Sequence, residues 1–254
     1  MIPTILHIGP LPLHSFGLMM VLAFLAAWRR FYLSLAEGGE RPELAEPAIT
    51  WAALGGILGA RLGYLVSFEQ DFFSHPIQSI FGGAGFVFHW GFVGGVLAVA
   101  LLLKKERAPF LRYADLAGPA LAIGYAVGRI GCQLSGDGDY GIETLMPWAM
   151  GYPLGVVPTL PGQLVHPAPV YETLMALCSA ALLLLCPRFG ILMRTGQRFG
   201  LYLVLAGAAR FVAEVVRIEP RIFAGFTQAQ LMGFFLVGVG ALLIALAKPP
   251  TSTT

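Results

Sequence analysis

The chain has 254 residues, of which 57% are hydrophobic and 12% are charged, and its formal net charge is +2. A soluble domain carries about twice that charged fraction, so the composition excludes an ordinary soluble protein and indicates an integral membrane protein. The net charge says little by itself, and we expect no nucleic-acid partner.

Seven apolar stretches are each long enough to cross a membrane, which takes roughly 20 mostly apolar residues. In chain order, the predicted spans are about 11–28, 48–67, 83–103, 114–136, 170–187, 199–217 and 229–247. The first is not a cleaved signal peptide, because no Lys or Arg precedes it. We therefore predict an all-α integral membrane protein with seven transmembrane helices, forming a single domain over residues 1–254.

Basic residues are distributed asymmetrically between the predicted loops. Eleven lie after the first, third and fifth spans and in the C-terminal tail, whereas two lie on the opposite side, after the sixth span. Because cytoplasmic loops carry an excess of Lys and Arg, we predict an N-terminus outside and a C-terminus inside. The Gly- and Pro-rich connection 137–169, which contains no Lys or Arg, is then an ordered loop on the outer surface.

Ionisable side chains in the predicted spans share one depth, the outer half of the membrane, with the exception of Asp115 at the cytoplasmic start of the fourth span. They are Arg61, His89, Arg129, Arg210 and Glu214, with Arg217 at the end of the sixth span. Charged groups within a bilayer are costly and usually face a partner or a cavity. Three arginines, Arg129, Arg210 and Arg217, against the single carboxylate of Glu214 leave an excess of positive charge, so we expect an anion to bind them. Guanidiniums can hold the phosphate of a lipid head group through bidentate hydrogen bonds.

Structural explanations also exist for these residues. Arg210 and Glu214 have the spacing of an intrahelical ion pair. His89 fits a satisfied core histidine, and Arg61 lies on a small-residue helix face, where we expect it to tie helices together.

A Gly-rich acidic turn follows the fourth predicted span. Glycines such as Gly136 let the backbone approach a head group. Asp137 and Asp139 either orient the arginines, bind polar substrate atoms or serve as turn residues. The turn offers too few oxygen ligands for a calcium loop, so we predict no metal. The three cysteines fit neither a disulfide framework nor a zinc site.

Six segments, in order and on the expected spans, resemble the prolipoprotein diacylglyceryl transferase family of bacteria. They are "PLHSFGLMM", "GARLGYLV", "FVFHWGFVGG", "GRIGCQLSGDGDYG", "HPAPVYE" and "RFVAEVVR". Each motif alone is weak, but together they extend over nearly the whole chain.

The resemblance implies a transfer reaction at the periplasmic leaflet of the bacterial inner membrane. The diacylglyceryl group of phosphatidylglycerol passes to the lipobox cysteine of a prolipoprotein, and glycerol phosphate leaves without any cofactor. By motif position, Arg129 and Arg210 bind the phosphate, and His89 is catalytic or substrate-binding. His89 is our candidate for the base that deprotonates the thiol, and the alternative is that the arginines lower the thiol pKa with no dedicated base. The expected substrate-binding residues are Asp137, Glu214, Arg217, Gly136, Gln133 and Arg61.

The chain also departs from the pattern of that family. Phe16 and Ala206 stand where tyrosine is common, and Cys132 stands where many members have asparagine. These differences leave open a related transferase with another acceptor or lipid donor. A transporter for a small anion or lipid is a third hypothesis, which the apolar inner halves of the spans disfavour.

Overall fold

The computed structural model describes residues 1–9, 11–68, 87–192 and 194–247, which are mostly helical. These residues contain seven long helices: α1 Ser15–Glu37, α2 Ala45–Phe68, α3 Phe88–Lys105, α4 Phe110–Ser135, α5 Ala168–Leu185, α6 Gln197–Glu214 and α7 Gln228–Leu246. Short 3-10 segments precede α2 and follow α5, at Pro42–Leu44 and Cys186–Phe189. Two antiparallel hairpins complete the described secondary structure, β1 Thr4–Ile8 with β2 Leu11–His14 and β3 Arg221–Phe223 with β4 Phe226–Thr227.

Four described segments are long and apolar enough to cross a membrane. They are Ser15–Glu37, Pro42–Ser67, Ala168–Phe189 and Gln228–Leu246. The prediction of a helical membrane protein is therefore confirmed in its coarse form, whereas the full set of seven spans stays a prediction. The predicted start of the third span at residue 83 and the tail residue Lys248 lie outside the described residues.

The first helix begins later than the hydropathy predicts. The predicted first span, about 11–28, includes residues 11–14, but these form β2. Helix α1 begins at Ser15 and continues to Glu37, beyond the predicted end. The Ser15 backbone N–H donates to the Pro3 carbonyl at 2.9 Å, which fixes the junction between hairpin and helix. An apolar hairpin has the same hydropathy as a helix start, so composition alone does not separate the two.

The chain divides into two compact units, each described by itself. One comprises Met1–Ser34 with Ala114–Thr254, and the other comprises Leu35–Tyr113. A single domain over the whole chain stays a prediction.

Helices α2 and α3 of the second unit approach closely at glycines. A Cβ built on Gly94 would lie 2.3 Å from the Gly55 carbonyl oxygen, and one built on Gly59 would lie 2.4 Å from the Trp90 carbonyl oxygen. Any side chain at these positions would collide with backbone, so the pair depends on small residues, as is common between membrane helices. The small-residue face predicted around Arg61 is thus a helix–helix interface.

Helices α6 and α7 of the first unit pack in the same way. A Cβ on Gly207 would lie 2.6 Å from the Gly233 carbonyl oxygen, and one on Gly240 would lie 2.4 Å from the Gly200 carbonyl oxygen. This contact fixes the position of α6, the helix that carries Arg210 and Glu214.

Asp115 of α4 caps the beginning of α6. Its carboxylate accepts hydrogen bonds from the backbone N–H groups of Gly196, at 2.6 Å, and Phe199, at 2.7 Å. The first N–H groups of a helix have no partner within the helix, and a negative charge is favourable at that end. The buried Asp115 therefore ties α4 to α6 at the end opposite to Arg129 and Arg210.

The connection between α4 and α5 is an ordered loop held by backbone hydrogen bonds. Val156 and Val157 donate to the carbonyl groups of Ser135 and Gly136, each at 2.9 Å. Gly136 has a positive φ of 59°, and a Cβ there would lie 2.7 Å from Gly155 Cα. These bonds return the loop to the end of α4, so its residues stay beside the arginines of that helix.

Candidate active site

Glu172 lies at the centre of a group of charged side chains in the first unit. It is 2% exposed and stands near the beginning of α5. Its Oε2 atom lies 2.7 Å from Arg129 Nε. Its Oε1 atom lies 3.4 Å from Arg210 Nη1 and 3.5 Å from Arg217 Nη1. One buried carboxylate therefore contacts three guanidiniums.

Arg129 is held from several directions on α4. The Tyr125 hydroxyl, one turn earlier, accepts a hydrogen bond from Arg129 Nε at 3.0 Å and donates one to Glu172. The Arg129 guanidinium carbon lies 5.1 Å from the Tyr125 ring centroid, within the range of a cation–π contact. On its other side, Arg129 pairs with Asp139. These contacts fix the orientation of the guanidinium.

Arg210 and Glu214 pair along α6. Arg210 Nη2 lies 3.0 Å from Glu214 Oε2, at the i, i+4 spacing. Neither Glu214 oxygen has a partner with hydrogen-bond geometry in the described residues, so this contact is a charge pair without a well-aligned hydrogen bond. Arg210 is 25% exposed, compared with 15% for Arg129 and 7% for Arg217. Arg210 is thus the most accessible of the three guanidiniums.

Arg217 does not continue the sixth helix, contrary to the predicted span 199–217. Helix α6 ends at Glu214, and Arg217 pairs with Gly141 of the loop in a β-bridge. The reason lies in the backbone: Ile142 N–H donates to the Val216 carbonyl at 2.7 Å, and a Cβ on Gly141 would lie 2.3 Å from that oxygen. The loop thus forms backbone hydrogen bonds with the segment that follows α6, so this segment pairs with the loop and does not continue the helix.

Asp139 joins the loop to two arginines. Its Oδ1 lies 2.7 Å from Arg217 Nη2, its main-chain oxygen accepts from Arg217 Nη1 at 3.1 Å, and its other carboxylate oxygen pairs with Arg129. Burial opposes ionisation, but the hydrogen bonds from Arg217 and the charge of Arg129 outweigh it and lower the pKa of Asp139 to about 2. Asp139 is therefore an anion at any physiological pH. We call Arg129, Arg210, Arg217, Glu172, Asp139 and Glu214 the charged cluster.

Comparison with known proteins gives one consistent family. The family model described as prolipoprotein diacylglyceryl transferase matches residues 3–246. This chain belongs to the prolipoprotein diacylglyceryl transferase family. A relative from Methylocella silvestris, named phosphatidylglycerol–prolipoprotein diacylglyceryl transferase, is 33% identical over 96% of this chain and 93% of its own length. A protein of the same name from Acinetobacter baumannii is 34% identical over 88% of this chain and 82% of its own length. Another from Acinetobacter baylyi is 33% identical over 95% of this chain and 90% of its own length.

The charge balance of this transferase family member differs from the expectation. The sequence suggested three arginines against Glu214 alone, with an excess of positive charge. That premise was wrong, because Glu172 and Asp139 also contact the arginines, giving three guanidiniums and three carboxylates in the charged cluster. The exposed Glu219 adds a further carboxylate, 3.1 Å from Arg217 Nη2. The six residues of the charged cluster are therefore neutral in sum, and with Glu219 the net charge is slightly negative.

The remaining predicted residues lie in two places. Gln133 and Gly136 support the loop: Gln133 Oε1 accepts a hydrogen bond from the Tyr152 hydroxyl at 2.8 Å. Arg61 and His89 belong to the second unit, where the Arg61 guanidinium carbon lies 5.7 Å from the Tyr64 ring centroid and His89 is exposed in the first turn of α3. The functional roles of all four stay predictions.

The two aspartates of the acidic turn have different contacts. Asp137 Oδ1 accepts a hydrogen bond from the Asp139 backbone N–H at 3.3 Å, as in an Asx turn, whereas Asp139 contacts the arginines. Cys132, Asp137 and Asp139 bring potential metal-ligand atoms within 4.8 Å of one another. Two guanidiniums already neutralise Asp139, which disfavours an added cation there, and we assign no metal.

The sequence reasoning missed Glu172 and Tyr125. Glu172 was visible as an acidic residue within the predicted fifth span, close to its outer end, where a charge is costly. Tyr125 precedes Arg129 by four residues, so both side chains lie on one helix face. The predicted depth of Glu172 in the membrane and the four-residue spacing of Tyr125 from Arg129 were thus sufficient to indicate both residues from the sequence.

Proposed function

We propose that this chain transfers the diacylglyceryl group of phosphatidylglycerol to the cysteine thiol of a prolipoprotein lipobox, with release of glycerol phosphate. The observation that carries the proposal is the convergence of Arg129, Arg210 and Arg217 on one point of a membrane protein. Family membership and the names of the relatives support the substrate assignment. Guanidiniums bind phosphate through bidentate hydrogen bonds.

The chemistry requires positive charge at the leaving group. The thiolate sulfur attacks the glycerol carbon that bears the phosphate ester, the carbon–oxygen bond breaks, and its electron pair leaves with glycerol phosphate. The phosphodiester carries one negative charge, and the departing monoester gains a second. Guanidiniums placed at the phosphate therefore stabilise the transition state more than the bound lipid, which is the condition for acceleration.

The three arginines have different tasks in this proposal. Arg210 is the most exposed, and its carboxylate contacts, at 3.0 and 3.4 Å, are longer than the 2.7 Å contact of Arg129 with Glu172. Arg210 thus has the greatest capacity to bind the phosphate directly. Arg129 contributes its positive charge from α4. Arg217 faces Glu172 Oε1 beside Arg210 and also holds the loop through Asp139.

A free cysteine thiol is mostly protonated at neutral pH, and a base near the thiol would raise its thiolate fraction. We assign this task to His89. Seven spans with the N-terminus outside would place the charged cluster near the periplasmic leaflet of the bacterial inner membrane, where the prolipoprotein thiol and phosphatidylglycerol both occur. We also propose substrate-binding roles for Asp137, Gly136, Gln133 and Arg61.

The decisive experiment incubates purified protein with phosphatidylglycerol and a lipobox peptide and analyses the peptide by mass spectrometry. We expect a thioether-linked diacylglyceryl adduct from the wild type and none from Arg210→Ala. Arg221→Ala is the matched control, since the guanidinium of Arg221 is exposed and donates to the Gly225 carbonyl at 2.6 Å. Lipid turnover without a peptide adduct would favour another acceptor, and full activity of Arg210→Ala would refute the phosphate assignment.

A further inference from the structure

The two oxygens of Glu172 have unequal contacts. Oε2 lies 2.7 Å from Arg129 Nε and accepts a hydrogen bond from the Tyr125 hydroxyl. Oε1 faces Arg210 and Arg217 at 3.4 and 3.5 Å, the long end of the hydrogen-bond range. Glu172 is therefore held firmly on one side and weakly on the other.

The weak side of Glu172 is also where an anion would gain most. Arg210 is the most exposed arginine of the charged cluster, and its contact with Glu214 lacks hydrogen-bond geometry. A phosphoryl group that binds Arg210 and Arg217 would replace long contacts with short bidentate ones.

A bound phosphoryl group and Glu172 repel each other. The charged cluster already contains as many carboxylates as guanidiniums, so an added phosphate leaves an excess of negative charge. In a buried environment this excess is costly. The least costly relief is loss of the long contacts of Oε1, because those contacts are the weakest that Glu172 makes.

We propose that Glu172 is an internal anion which a phosphoryl group displaces from Arg210 and Arg217, while Oε2 remains on Arg129 and Tyr125. The inference rests on the proposed function of the charged cluster, and it adds that Glu172 sets the affinity of the cluster for a phosphoryl group. Without lipid, Glu172 keeps the arginines neutralised in a buried site. With lipid, it competes with the phosphate and so speeds release of glycerol phosphate after transfer. Glu172 acts through the arginines and is a positioning residue.

Glu172→Gln tests the proposal, because the amide keeps the size of the side chain and removes its charge. The assay measures inhibition of transfer by glycerol phosphate and, separately, by inorganic phosphate, together with kcat and the KM for phosphatidylglycerol in mixed micelles. We expect glycerol phosphate to inhibit the variant at least about tenfold more tightly, since a negative charge next to two guanidiniums is lost. We expect kcat to fall because the product leaves slowly.

Glu219→Gln is the matched control. It removes one carboxylate 3.1 Å from Arg217 Nη2, but Glu219 is 42% exposed, and solvent screens such a charge. We expect its inhibition constants to change by less than about threefold. If inorganic phosphate shows the same tightening as glycerol phosphate in Glu172→Gln, the competition concerns the phosphoryl group itself. If only inhibition by glycerol phosphate becomes tighter in Glu172→Gln, Glu172 competes with the glycerol phosphate group as a whole. Either result supports the displacement of Glu172.

A folded Glu172→Gln enzyme with unchanged or weaker inhibition by glycerol phosphate would overturn the proposal. If Glu172→Gln does not fold, Glu172→Asp replaces it: the shorter arm withdraws the carboxylate from Arg210 and Arg217, and we again expect tighter inhibition. Arg210→Ala separates this test from the proposed function. If removal of Arg210 leaves the binding of glycerol phosphate to the purified protein unchanged, as measured by isothermal titration calorimetry, the phosphate site itself is misassigned. If it abolishes this binding while Glu172→Gln has no effect on it, only the role of Glu172 is wrong.

Discussion

Asp139→Asn tests how the loop is attached to the charged cluster. Asp139 contacts Arg129 and Arg217, and its pKa is lowered from the ordinary 3.8 to about 2. The difference between the two values corresponds to about 2 kcal/mol. Because the side chain is 30% exposed, solvent screening reduces the expected contribution to roughly 1–2 kcal/mol. We expect Asp139→Asn to lower the free energy of unfolding by that amount at pH 7.

The pH dependence of this loss has a defined sign. A carboxyl group with a lowered folded-state pKa stabilises the protein above its ordinary pKa, and the stabilisation disappears as pH falls through the lowered value. Wild type and Asp139→Asn should therefore differ fully above pH 4 and converge towards pH 2, in line with the values 3.8 and about 2. The assay is unfolding in mixed detergent micelles at several pH values. Equal stability at pH 7, or a difference that persists unchanged at pH 2, would refute this reasoning.

Three further variants address the arginines and the helix contacts. Arg210→Lys should lower kcat by about a hundredfold, because one ammonium group cannot reproduce the separate Nη1 and Nη2 contacts; a kinetic assay in micelles showing near wild-type kcat would contradict this. Gly207→Leu should lower the Tm and the activity, since even its Cβ would lie 2.6 Å from the Gly233 carbonyl oxygen, whereas Gly238→Leu, with nothing within 4 Å, should leave both unchanged. Asp115→Asn should cost about 1 kcal/mol of stability by weakening the cap of α6, measured by thermal unfolding; an unchanged Tm would argue against the cap.

Hydropathy predicted the helices well because long apolar runs have few alternatives in a membrane protein. The described helices α4, α5 and α7 begin and end within a few residues of the predicted spans. The errors lie where hydropathy is uninformative. The apolar strand Leu11–His14 was taken for helix, and α6 was extended to Arg217 because nothing in its composition marks the end at Glu214.

The charged cluster was only partly predictable. Arg129, Arg210 and Glu214 stood out because a charge within an apolar run is rare. Asp139 is one of two similar aspartates in the Gly-rich turn, and the choice between them depends on hydrogen bonds between the loop and Val216. Such long-range backbone pairing leaves no mark in a single sequence. Glu172 carried a signal, but its contact with three arginines required the geometry of α4, α5 and α6.

The loop between α4 and α5 is held by backbone hydrogen bonds along much of its length, but its turn at Gly162 is open. Near its beginning, the backbone N–H groups of Gly141 and Ile142 donate to the carbonyl groups of His166 and Val216. Gly162, near the end of the loop, has a positive φ of 80°, and a Cβ built on it would have nothing within 4 Å. This turn is consequently a suitable insertion point for an epitope or a small reporter domain. A fusion there would disturb few of the described contacts, so the enzyme could be tracked or purified through the insert.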